Sequence, residues 1–208
     1  MILTEAGEIG VHVGDDVHIL RPSLYAMTQI GEPAQIVEVY ATVMTEGLEG
    51  AAAEYQFADA LMVVHACSER DLSDVFGCFE RGDGGLVFRR GIADPSDILP
   101  LARCLLRHGV TGVHKPLPRR ADDEPEFVRE FVARDHVALA VAHLGVSERE
   151  AWQMTMTGIV GAMRAKFPPT PDQSPGMRAP TKEEHEATEA WFEKIEQRRK
   201  QRSALSAH

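Results

Sequence analysis

The residues of this chain best suited to chemistry are two histidines and three cysteines: His65, Cys67, Cys78, Cys104 and His108. A helix would place Cys104 and His108 four apart on one face, and a neighbouring helix could bring His65 and Cys67 to meet them. Thiolate and imidazole together would suit zinc. The spacing matches no established zinc module, however, and cysteine is commonly buried as a small hydrophobe. Cys67, Cys104 and His108 are therefore the metal candidates, read against a simpler role as core and helix-end residues. The carboxylates Asp122, Asp123, Glu124, Glu126 and Glu130, and the pair Asp15-Asp16, could attract a hard cation. They also stand where turns and helix starts favour carboxylates without any metal. His136 and His143, seven apart, have no evident acidic partner in sequence. Gly82-Asp83-Gly84-Gly85 lacks the Lys-Ser/Thr of a phosphate loop, and Ser73, Ser96 and Ser147 lack a nucleophile-elbow pattern. No catalytic mechanism or cofactor site emerges from these residues.

Composition narrows the class. A chain of 208 residues with 44% hydrophobic and 26% charged residues can bury one substantial core. Its formal net charge of -10 argues against nonspecific binding to nucleic acid, which needs basic surface. Three cysteines with no disulfide-framework spacing suit a reducing compartment. Neither a signal peptide nor a membrane-spanning run is read, so the expectation is a soluble protein.

The elements that must position these residues follow from periodicity and punctuation. Residues 2 to 22 alternate as strands do, with Gly14-Asp15-Asp16 as a hairpin turn. Ser23 is expected to cap a short helix ending at Gly31, and Pro33 to open another carrying Ile36, Val37, Val39, Tyr40 and Val43. The run from Ala51 to Ser68 predicts a central helix with Tyr55, Phe57, Ala58, Leu61, Met62, Val64 and His65 at helical spacing. Two short extended pieces flank Gly82–Gly85. Asp94-Pro95-Ser96-Asp97 opens a helix expected to stop at Gly109. After a polar connection at 114 to 124, a helix is expected over 125 to 144, capped by Gly145. Ser147 and Glu150 form a capping box for the next helix, and Thr157 is read as the cap of the last, which Pro168-Pro169 closes.

The predicted fold is α+β and mainly helical: an N-terminal β-hairpin, a compact helical bundle with a second small hairpin, and a C-terminal helical tail. The domain is drawn at 1–167, a proline-rich linker at 168–180 and an amphipathic helix or tail at 181–208. Trp191 and Phe192 are the main hydrophobes of that tail.

RPSLYAMTQIGEPAQIVE, ALMVVHAC, ILPLARCLLRHGVTG and HLGVSEREAWQMTMTGIVGAMRAKFP follow the N-terminal hairpin in an order that resembles tail assembly proteins of long-tailed bacteriophages. The last stretch is similar to the close of small tail assembly chaperones, where a leucine-glycine turn and a tryptophan precede a Thr-capped helix. That resemblance implies a noncatalytic chaperone in the host cytoplasm. It would keep the hydrophobic, helical tape-measure protein soluble and help tail-tube subunits assemble around it. On this reading Trp152, Met154, Met156 and Met163 form an adaptable partner-binding patch, with Trp191 and Phe192 as a second surface. Neither nucleic acid nor membrane is an expected partner. A structural tail completion or connector subunit and a zinc-binding module remain the alternatives.

Overall fold

Among the described residues, two antiparallel hairpins and a set of helices make up the fold. The computed structural model describes residues 2–82, 85–113 and 128–168. Strands β1 (Ile9–Val13) and β2 (Asp16–Leu20) pair with Val13 opposite Asp16, so the expected hairpin turn is made by Gly14 and Asp15 alone, and Asp16, read as part of it, opens β2. The strand end is tied back by Glu8, which is buried and accepts hydrogen bonds from the Leu3 amide at 2.7 Å and from Arg21 Nε at 2.6 Å.

Helix α1 (Leu24–Thr28) begins at Ser23, whose hydroxyl accepts from the Ala26 amide at 3.1 Å. Helix α2 (Pro33–Met44) has Pro33 in its first turn and buries Ile36, Val39 and Val43. Helix α3 (Ala51–Ala66) is central, packing most extensively against α5 (Pro95–Leu106). Between them lie the single turn α4 (Ser73–Phe76) and the second hairpin, β3 (Cys78–Gly82) with β4 (Gly85–Arg89). Leu20, Met27, Val63, Val64, Ile98, Leu105 and Leu106 are among the fully enclosed core residues.

Three boundaries differ from expectation, each for a tertiary reason. Helix α5 does not stop at Gly109. It widens into a π-helical turn, Arg107–Thr111, and Gly112 at φ 73° ends it. Gly109 instead permits a close approach, since a Cβ there would lie 2.6 Å from Met27 Sδ. Helix α6 (Ala133–Leu144) begins later than the predicted 125. Residues 128–132 are not helical, and the Phe131 amide donates to the Pro33 carbonyl at 2.9 Å while its ring is buried. Helix α7 (Glu148–Gln153) has the predicted Ser147–Glu150 capping box, with the Ser147 amide 2.9 Å from Glu150 Oε2 and the Glu150 amide 3.2 Å from Ser147 Oγ. Helix α8 (Met156–Lys166), however, is capped by Thr155 and not by Thr157, the Gly158 amide donating to Thr155 Oγ1 at 3.1 Å. Thr157 Oγ1 is engaged elsewhere: it accepts from the Val113 amide at 3.0 Å and bonds His108 Nδ1 at 2.9 Å. The connection 114–124, the acidic run Asp122-Asp123-Glu124 with Glu126, the linker beyond Pro168 and the tail with Trp191 and Phe192 lie outside the described residues.

Candidate functional site

The join between α7 and α8 meets α1 through the backbone. The Leu24 amide donates to the Met154 carbonyl at 2.9 Å, and Ser23 bridges Thr155 in antiparallel fashion. This holds Met154 extended and sets α7 alongside α1. Trp152 is thereby brought beside Tyr25, which is 53% exposed, and the two rings line a shallow depression with Thr28, Glu148, Arg149 and Gln153. Two aromatics, each with a polar handle, framed by one acid and one base, can grip a partner segment by apolar contact and hydrogen bonding.

The methionines expected beside Trp152 sit differently. Met156 is only 7% exposed and belongs to the core, so it is not a contact residue on this surface. Met154 and Met163 are half-buried and pack against that core. Trp152 is half-buried against the same core, but unlike the methionines it lines the depression, together with Tyr25, a residue that nothing in the local sequence ties to it.

A second apolar surface lies between α3 and the β3–β4 hairpin. Phe79 and Phe88 are opposite one another across the strands, with ring centroids 5.6 Å apart, and both meet Phe57 of α3 edge-on, at 6.5 Å and 5.0 Å. Beyond this cluster the groove opens to Tyr55, 72% exposed, and Leu86, 74% exposed. Tyr55 and Met62 are among the residues at helical spacing in the central helix α3, which an apolar stripe alone would turn inward. Instead both point outward, and Gln56 turns inward with Ala60, Leu61, Val63 and Val64. The available signal for this groove was the hairpin turn itself, because a two-residue connection sets Phe79 opposite Phe88.

The cysteine and histidine candidates do not converge. Among the described residues no group of three or more His, Cys, Asp or Glu side chains is placed to hold a metal. Cys67 is enclosed in the core, where burial pushes its thiol pKa far up. His65 Nε2 lies 2.9 Å from the Gly77 carbonyl, and His108 is committed to Thr157. Cys78 sits on the hairpin beside Arg89, whose Nη2 is 3.3 Å from its Sγ. His136 stacks on Phe131, with centroids 5.1 Å apart, and His143 meets Phe167 edge-on at 5.7 Å.

A sequence profile described as a family of unknown function, DUF6246, matches residues 20–187. The chain belongs to this family. No curated protein and no solved structure matches it. The DUF6246 match takes in α1 to α8, and hence both apolar surfaces; β1 precedes it, and Trp191 and Phe192 follow it. Among the described residues, no helix is long and apolar enough to cross a membrane.

Proposed function

We propose that the chain is a noncatalytic tail assembly chaperone of long-tailed bacteriophages that binds the tape-measure protein, with the tail-tube protein as a further partner. The order of its elements resembles such chaperones. The observation that carries the reading is the Tyr25–Trp152 surface, where two aromatics distant in sequence line one depression beside the Leu24–Met154 backbone bond. A helical, apolar client offers side chains at i, i+3, i+4 and i+7, which an aromatic depression framed by Glu148 and Arg149 suits. Adaptability comes from the ring faces and not from methionine, since Met156 is occupied in the core.

The test is co-expression of the full chain with the tape-measure protein of the same phage, followed by co-purification. Capture and solubilisation of the tape-measure protein by wild type are expected. A Tyr25→Ala, Trp152→Ala variant that keeps the wild-type circular dichroism spectrum should lose most of that capture. Failure of wild type to associate at any salt concentration, with the protein recovered in finished particles, would favour a structural tail subunit instead.

A further inference from the structure

Among the described residues, the β3–β4 hairpin is a two-stranded ribbon with no other strand on either edge. Only two residues join Gly82 to Gly85, so the pairs Gly82–Gly85, Glu80–Val87 and Cys78–Arg89 exchange hydrogen bonds within the ribbon. Phe79 and Arg81 on β3, and Leu86 and Phe88 on β4, must then turn their amides and carbonyls outward. Among the described residues, none of these outward groups has a hydrogen-bond partner.

The two edges are not alike. The β3 edge carries Glu80 and Arg81, and charge of this kind discourages pairing. The β4 edge reads Gly-Leu-Val-Phe-Arg, with Leu86 74% and Val87 58% exposed and no charge, proline or bulge at its centre. Such an edge is a template for a further strand.

We propose that β4 pairs antiparallel with β4 of a second copy of this chain, about a two-fold axis at Val87, giving a continuous four-stranded sheet. The register is fixed by the strand itself. Turning β4 about Val87 sets Leu86 of one copy opposite Phe88 of the other and Gly85 opposite Arg89. Leu86 and Phe88 are the residues whose backbone groups point outward, so the facing pairs exchange hydrogen bonds without either hairpin being disturbed. Their side chains join one apolar row on the face that meets Phe57 and Tyr55. The two Val87 side chains meet on the opposite face.

Charge permits this pairing. Arg89, the one charged residue of β4, meets glycine and keeps its own partners, Glu80 at 2.6 Å and Asp74 at 3.3 Å. No like charges face one another across the seam. The stretch 78–90 also carries Arg81, Arg89 and Arg90 against Glu80 and Asp83 in a chain of net charge -10. Two copies approaching through their hairpins avoid the mutual repulsion of their acidic bodies.

Sedimentation of the full chain over a range of concentrations should give a mass that rises from one copy to two. Leu86→Lys alters a side chain that is mostly in solvent in the single chain, so at a concentration where wild type is a single copy its melting temperature should match wild type. Because Leu86 occurs twice at a two-fold seam, the dissociation constant should rise at least about tenfold. Val87→Cys, in a Cys78→Ser background, should form an intermolecular disulfide under mild oxidation, since facing residues at the axis fall within the reach of a disulfide. A chain that stays single at every concentration overturns the proposal. So does a dimer that Leu86→Lys leaves intact, or one that Val87→Cys does not cross-link.

Discussion

Gln56 is the residue on which the placement of α3 depends most directly. It is 6% exposed, and its Nε2 donates to the carbonyls of Thr42 at 2.7 Å and Thr45 at 2.8 Å. These are carbonyls at the end of α2, where the helix no longer supplies the regular i+4 amide donors. Arg103 of α5 completes the arrangement, with Nε 2.8 Å from the Val43 carbonyl and Nη2 2.8 Å from that of Thr45. The end of α2 is thus held by side chains of the two helices that pack against it. Gln56→Leu keeps the bulk and deletes both donors. Neither carbonyl is left bare, because Thr42 still receives the Thr45 amide at 3.3 Å and Thr45 still receives Arg103. Two partly buried hydrogen bonds at about 1 kcal/mol each give a loss of about 2 kcal/mol. That corresponds to a fall of roughly 4–8 °C in Tm for a domain of this size. Arg103→Met tests the shared carbonyl. In the double variant Thr45 loses both donors, so the combined loss should exceed the sum of the single losses by about 1 kcal/mol. Thermal and urea denaturation followed by circular dichroism would measure all three variants. A Gln56→Leu protein melting within about 1 °C of wild type, or strict additivity with Arg103→Met, would refute this account of α2 anchoring.

Thr155→Ala should cost about 1 kcal/mol, the usual loss for removing a helix N-cap, and a urea midpoint that stays at the wild-type value would contradict the cap assignment. His136 gives a pH signature. Burial against Phe131 lowers its pKa below the ordinary 6.5, with Asp135 pulling weakly the other way. The unfolded chain takes up this proton as the pH falls through about 6.5 while the folded chain resists, so the contribution is destabilising on the acid side and vanishes above that pH. The difference in urea midpoint between wild type and His136→Gln should therefore change between pH 7 and pH 5, with wild type losing more. Parallel profiles would show that His136 is not responsible.

What could be read from the sequence was largely what neighbouring residues decide among themselves. Ser147 and Glu150 satisfy each other's backbone amides within one turn, and Gly14-Asp15 closes a hairpin over two residues, so both were legible as local chemistry. The threonine that caps α8 was not. Thr155 and Thr157 are equivalent candidates by type and spacing. The choice between them is made by Val113 and His108, which take the Thr157 hydroxyl, and by Leu24, which takes the Met154 carbonyl and leaves 154–155 extended. The same logic divided the candidate site. Trp152 follows from the capping box that precedes it, whereas Tyr25 joins it only through the pairing of Ser23 with Thr155.

The α3 helix shows why apolar periodicity alone misjudged the surfaces. A helical stripe through Tyr55, Ala58 and Met62 is as regular as one through Gln56, Ala60, Val63 and Val64. The second stripe is the buried one, because the end of α2 presents carbonyls to it and a glutamine can answer them where tyrosine cannot reach two acceptors at once. Burying Gln56 turns its neighbour Tyr55 toward solvent and leaves it on the bank of the hairpin groove. An exposed aromatic surface is in this way a consequence of a polar core residue. Disturbing the Gln56 anchor should shift that groove, even though Gln56 does not line it.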